Sequence, residues 1–130
     1  MPVDIEFAKP ARFKIRASGE VTLGEIEGAI RYGLAHPDLP GADVLVDASE
    51  VLAVPSTPEL RQVARELVPL MDHGMVAVGF VSKSPFVYGV ARMFGVFAEA
   101  VGVKFGAFRE FDDASSWLEE RRNEASAPRT

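Results

Sequence analysis

The sequence predicts a single α/β domain: a mixed, mostly parallel β-sheet opened by an antiparallel strand pair and accompanied by four helices, in the order ββαβαβαβα. Three observations predict it. Two short alternating segments stand next to each other at the start of the chain. Apolar runs and helix-periodic segments then alternate along the rest, the pattern of crossover connections in a parallel sheet. The runs Val44-Leu45-Val46 and Met75 to Val81 are continuously apolar, as strands covered on both faces are. At 130 residues the chain has the length of one domain, enough to bury roughly two-thirds of its unfolded surface.

Taken in order, Ile5 and Phe7, then Phe13, Ile15 and Ala17, alternate with polar residues, and Ala8-Lys9-Pro10-Ala11 reads as the turn between two strands. Gly19 marks the end of the second. Thr22-Leu23-Gly24-Glu25 is a capping box, in which the Thr22 oxygen accepts from the Glu25 amide and Glu25 reaches back. Leu23, Ile26, Ile30 and Leu34 follow at helical spacing, and His36-Pro37 stops the helix. Gly28 and Gly33 each weaken it by about 1 kcal/mol relative to alanine, so it depends on packing.

The strand Val44 to Val46 ends on Asp47, after which irregular chain is expected as far as Pro55. A helix then buries Leu60, Val63, Ala64 and Leu67, and Pro69 kinks or ends it. Met75 to Val81 is the next strand, and Ser82-Lys83-Ser84-Pro85 its polar end. The helix from Pro85 to Val101 is the most apolar in the chain, with Phe86, Val90, Phe94, Phe97 and Val101 along one face. Ala107, Phe108 and Phe111 read as a last strand and Asp112 as the N-cap of a last helix. The domain is expected over residues 1–123, with 124–130 a disordered polar tail.

Composition excludes several classes. A net charge of −5 leaves no basic stripe to neutralise phosphates, so no nucleic-acid partner is expected. The absence of cysteine removes disulfides, thiolate catalysis and zinc–thiolate sites. No apolar run approaches the ~20 residues of a membrane span, and the N-terminus lacks a signal pattern. No catalytic residues, cofactor or metal ligands are assigned: His36 and His73 each read as helix C-terminal caps, and Asp112-Asp113 as a helix start.

Candidate site residues gather at two places. Asp47, Ser49, Ser56, Thr57, Ser82, Lys83 and Ser84 belong at the carboxyl edge of the sheet, where α/β proteins bind ligands. Two helix starts would aim amides there and make an anion pocket. The same residues also serve as plain strand ends and caps. Ser56-x-x-Glu59 is a capping box, but Pro58 favours the first helical position, which makes Thr57 the expected cap and leaves Ser56 free for phosphorylation. The second place is the apolar helix, whose girth exceeds what one sheet face buries. Tyr88, Arg92, Met93, Phe94, Val96 and Phe97 are candidates for a homodimer or partner interface, or for the wall of an apolar pocket.

At Gly19-Glu20-Val21, Asp47-Ala48-Ser49-Glu50-Val51 and Ser56-Thr57 the chain resembles the STAS domain of bacterial anti-sigma factor antagonists. Tyr88 to Phe94, Phe111-Asp112-Asp113-Ala114 and Trp117-Leu118 look more like a divergent SpoIIAA-like branch, discussed alongside CRAL-TRIO lipid-binding domains. The resemblance implies a regulatory, non-enzymatic protein-interaction module of bacterial cytoplasm, with Ser56 at the place of the phosphorylated serine. Pro55 and Pro58 depart from the family, which has aspartate and glycine there. The alternative function is a small carrier or sensor of an apolar or anionic ligand. The first expects a flat exposed surface around Ser56; the second expects a closed apolar cavity against Phe94 and Phe97.

Overall fold

The computed structural model describes residues 3–8 and 11–126. Ten elements follow one another: β1 (Val3–Ala8), β2 (Arg12–Glu20), α1 (Leu23–Ala35), β3 (Asp43–Ala53), α2 (Thr57–Glu66), α3 (Val68–Asp72), β4 (Val78–Val81), α4 (Pro85–Ala100), β5 (Phe105–Phe108) and α5 (Phe111–Ser126). The five strands form one sheet in the order β1-β2-β3-β4-β5. β1 pairs antiparallel with β2, and every other pairing is parallel. This is the mixed, mostly parallel α/β sheet the sequence predicts. The expected second helix is broken at Leu67 into α2 and the five-residue α3, with Pro69 in the first turn of the second piece.

Sequential strand order with right-handed crossovers sends every crossover helix to the same face. Ile30 of α1, Leu60 and Val63 of α2, and Phe94 and Ala98 of α4 accordingly share one core with Phe13, Val44 and Val78 of the sheet. α5 alone covers the other face, where Ala114 and Leu118 pack on Leu45, Ala77 and Val81. This is why β3 and β4 are apolar on both sides. α5 packs mainly on β3, β4 and β5, so most of the outer face of β1 and β2, beyond Arg12, stays wet. It carries Asp4 opposite Arg16 and Glu6 opposite Lys14, cross-strand pairs of opposite charge.

Several boundaries differ from the sequence expectation. β3 does not end at Asp47. It continues through Ala53, because β2 stays alongside it, with Ser18 opposite Glu50, Gly19 opposite Val51 and Glu20 opposite Ala53. The register shifts between Arg16 and Ser18 and again between Gly19 and Glu20, where Gly19 takes a positive φ of 64°. Phe111 opens α5 instead of ending β5, so Asp112 lies inside the first turn and is not the cap. α5 runs to Ser126, past the expected domain end at residue 123. Lys9 and Pro10 of the expected turn, and residues 127–130 of the expected tail, lie outside the described residues.

A buried ionic cluster that the sequence reading did not single out ties α5 to the sheet. Asp43, the first residue of β3, is fully buried. Arg12 donates to both of its oxygens, from Nε at 2.8 Å and from Nη2 at 3.0 Å. Arg122 of α5 donates to the same carboxylate, and Arg12 Nη1 donates to Ser115 Oγ at 3.3 Å. The hydrogen bond to Asp43 holds the Arg12 guanidinium above its ordinary pKa, against its desolvation.

Candidate interaction edge and apolar cavity

The carboxyl edge is uneven because β3 overshoots its neighbour. Asp47 is opposite Val81, the last residue of β4. The six residues Ala48–Ala53 project beyond it, about 20 Å at a strand's rise per residue. Asp47 thus lies within the strand and accepts from the Ser49 amide at 3.0 Å, where the β2–β3 register shifts. Ser49 is exposed on the overhang. One residue beyond Val81, Ser82 is buried and accepts from the Ser84 amide at 3.2 Å. Ser84 caps α4 by accepting from the Val87 amide at 3.3 Å. Lys83 is exposed, 3.8 Å from the Glu110 carboxylate, and its carbonyl accepts from Arg109 at 3.0 Å.

Ser56 and Thr57 begin α2 after the chain has turned back from the overhang. The expected roles of the two are exchanged. Ser56 is the N-cap, and Thr57 is the first helical residue. Ser56 Oγ accepts from the Glu59 amide at 3.4 Å and donates to Glu59 Oε1 at 2.9 Å, and the Ser56 amide donates to the same oxygen at 2.9 Å. The reciprocal box outweighs the preference of proline for the first position, since Pro58 at the second also lacks only an amide that the helix leaves unpaired. These bonds hold the Glu59 carboxyl below its ordinary pKa, the backbone donor contributing most. Among the described residues no side-chain hydrogen bond joins Ser56 or Thr57 to Ser82, Lys83 or Ser84. Each helix start is satisfied by its own cap.

Two apolar side chains mark this edge. Leu52, near the end of the overhang, is 81% exposed, and Phe86, in the first turn of α4, is 61% exposed. Their chain neighbours point inward: Val51 and Val87 share one buried cluster with Ala17, Val21 and Ala48. Strand alternation and helix phase therefore turn Leu52 and Phe86 to solvent at the carboxyl end of the sheet, where Ser56 is also exposed. Phe86 was expected to share one face of α4 with Val90, Phe94, Phe97 and Val101. The buried stripe is instead Val87, Ala91, Phe94 and Ala98.

Beneath α1, α2 and α4 lies an apolar cavity of about 210 Å³. Phe13, Ile15 and Val46 form its floor, Ile26 and Ala29 of α1 part of its roof, and Phe94 part of its wall. Tyr32 alone among the lining residues carries a polar side chain. α1 rests on α2, α3 and the β1 edge, and it contributes one buried residue, Ile30.

The six candidates on α4 separate into two groups. Phe94 lines the cavity, with its ring 4.9 Å from that of Phe105. Met93 and Phe97 pack partly buried against the core, and the Arg61 guanidinium lies over the Phe97 ring at 5.0 Å. Phe97 does not line the cavity. Tyr88, Arg92 and Val96 face outward along a groove beside β5. Among the described residues no three His, Asp or Glu side chains group to hold a metal ion. No helix there is long and apolar enough to cross a membrane.

Neither a protein-family model nor a curated protein matches the chain. Solved structures do. An uncharacterized protein of the DUF3478 family from Shewanella loihica PV-4, itself described as having a SpoIIAA-like fold, matches with a TM-score of 0.54 and 20% identity, over 89% of this chain and 91% of that one. An anti-sigma factor antagonist from Mycobacterium paratuberculosis matches with a TM-score of 0.61 and 19% identity, over 90% and 92% of the two chains. The fold is SpoIIAA-like. At these identities the likeness is one of backbone. The SpoIIAA-like sheet and helix order are shared nearly end to end, and the chemistry of the edge has to be read from this chain's own residues.

Proposed function

We propose that this SpoIIAA-like domain is a non-enzymatic regulatory module that docks a protein partner on the carboxyl edge of its sheet. The observation that carries this reading is that Leu52 and Phe86, two large apolar side chains, are both turned to water at the carboxyl end of the sheet, where Ser56 is exposed too. Exposed apolar residues rimmed by polar ones are the composition of a docking surface. The polar residues around them are engaged locally in caps and turns, and no acid–base pair or nucleophile converges there. Quantitative mass spectrometry of material co-purified from the native cells tests the reading. A stoichiometric partner should accompany the wild type and be lost from Leu52→Asp/Phe86→Asp. The same proteins accompanying both would overturn it.

Phosphorylation of Ser56 would switch this edge. A phosphate there forfeits the hydroxyl's donation to Glu59 and sets new negative charge beside that carboxylate, while the helix N-terminus still favours an anion. The cap would be rebuilt and the neighbouring surface with it. Intact-mass analysis of the protein from its native cells should find phosphate that Ser56→Ala abolishes.

A second reading, a carrier or sensor of a small apolar ligand, is favoured by the cavity. Its volume of about 210 Å³ exceeds the ~150 Å³ void that stays dry and takes up benzene. Its lining suits a hydrocarbon and offers an anion nothing. Native mass spectrometry after gentle purification should retain a co-purified hydrophobic molecule if this reading holds; a clean apo mass, together with no uptake of a hydrophobic fluorescent probe, would overturn it.

A further inference from the structure

We infer that two copies of this chain associate through the free edge of β5 and the outer stripe of α4, forming a two-fold dimer. β5 is the last strand of the sheet. The carbonyls of Lys104 and Phe108 accept from Val78 and Ser82 on the β4 side, at 2.9 and 3.1 Å. By the alternation of a parallel ladder, the backbone groups of Phe105 and Ala107 therefore point away from the sheet. Both residues line a groove of about 320 Å³ whose other wall is α4. An unpaired edge of this kind is a template for another strand unless something covers it.

The stripe of α4 above that groove is complementary to itself. Tyr88, Arg92, Gly95, Val96 and Glu99 follow at helical spacing and all line it. Arg92 lies three residues before Gly95, and Glu99 three residues after Val96. Among the described residues neither charge is in an ion pair within its own chain. Val96 at the centre is 66% exposed, and Gly95 beside it has no side chain to hold a neighbouring helix away. A two-fold axis through that centre runs the two α4 helices antiparallel. It sets Arg92 of each copy against Glu99 of the other, buries Val96 on its own image, and brings the β5 edges into antiparallel pairing. An interface related by a two-fold axis requires a patch that matches itself, and opposite charges equidistant from an apolar centre meet that requirement. A heterologous partner would have to supply the same pattern by chance. The docking edge at Leu52 and Phe86 stays open in such a dimer.

Sedimentation velocity across a concentration series tests the inference. The wild type should sediment as a dimer. Arg92→Glu and Glu99→Arg, each of which sets like charges against each other twice, should weaken dimerisation by about tenfold or more. The double exchange Arg92→Glu/Glu99→Arg should restore it. All three changes fall on exposed residues, and circular dichroism confirms that the variants remain folded. A wild type that stays monomeric throughout the series overturns the inference and leaves the groove to a strand from another protein. A double exchange no better than the single ones also overturns it.

Discussion

Arg12 grips Asp43 with two hydrogen bonds in the fork geometry of a guanidinium on a carboxylate, and that carboxylate is entirely out of water. The pair bolts the first residue of β2 to the first residue of β3, and Arg122 extends the bolt to α5. Removing one member of a buried pair leaves the other uncompensated, which costs more than the pair contributes net. Arg12→Ala is expected to cost about 3 kcal/mol, the low end for such a break because Arg122 still engages Asp43. Asp43→Ala, which strands both arginines, should cost more. Urea unfolding should show a lower midpoint with an unchanged slope.

Exchanging the caps separates Ser56 from Thr57. Ser56→Ala should lower stability by about 1 kcal/mol, the usual cost of an N-cap. Thr57→Ala, at the first helical position, should change it by no more than about 0.5 kcal/mol, as ordinary exposed substitutions do. Equal effects in equilibrium unfolding would contradict the capping geometry.

The two shifted carboxyls should respond to pH with opposite signs. Glu27 on α1 has its pKa raised, first by hydrogen bonding with Glu66 on α2, then by desolvation and the Glu66 charge. A raised acid favours the folded state while protonated. Its contribution is therefore present at acid pH and lost as pH rises through the raised value. Glu27→Gln should stabilise the protein at neutral pH, and the gain should vanish below the ordinary carboxylate range near ~4.3. Glu59 is depressed by its bonds to Ser56. Glu59→Gln should therefore destabilise at neutral pH, and the deficit should close as pH falls through the depressed value. Parallel thermal-unfolding series from neutral to acid pH check both.

Filling the cavity should stabilise the fold and abolish uptake of an apolar probe. Ala29 on α1 lines the void, and leucine has nearly the same helix propensity. Ala29→Leu is expected to gain about 1 kcal/mol, as cavity-filling changes commonly do. Unfolding midpoints and the fluorescence of a bound naphthalene dye measure the two effects.

The sheet, the crossover helices and the Thr22 capping box were legible because each is written in local spacing: period two, period 3.6, or a cap and its glutamate. The overhang of β3 was not. Asp47, Ser49 and Glu50 read as a polar strand end, and what keeps them extended is β2 alongside, a pairing with no local signature. Ser56 was misassigned for a related reason, because the proline rule and the capping box disagreed and only geometry decides between them. The cavity was legible only as one of several readings of the apolar helix, and its place under α1 was not. Apolar residues at helical spacing show that a face is buried, not how closely it approaches what it is buried against. Asp43 carried one faint signal, an acid heading an interior strand with Arg12 heading a neighbouring one. The two are 31 residues apart in sequence.

The hollow beneath α1 also gives the domain a mechanical character. A folded chain with unfilled apolar space in its core takes up less total volume once that space is filled by water, so compression favours unfolding, by a volume change that scales with the void eliminated. This protein should thus be soft under hydrostatic pressure at temperatures where it is otherwise secure. Trp117 packs on the far side of the sheet and reports the loss of structure by its fluorescence. An occupant of the hollow, whether the leucine of Ala29→Leu or a hydrocarbon guest, should move the pressure midpoint upward.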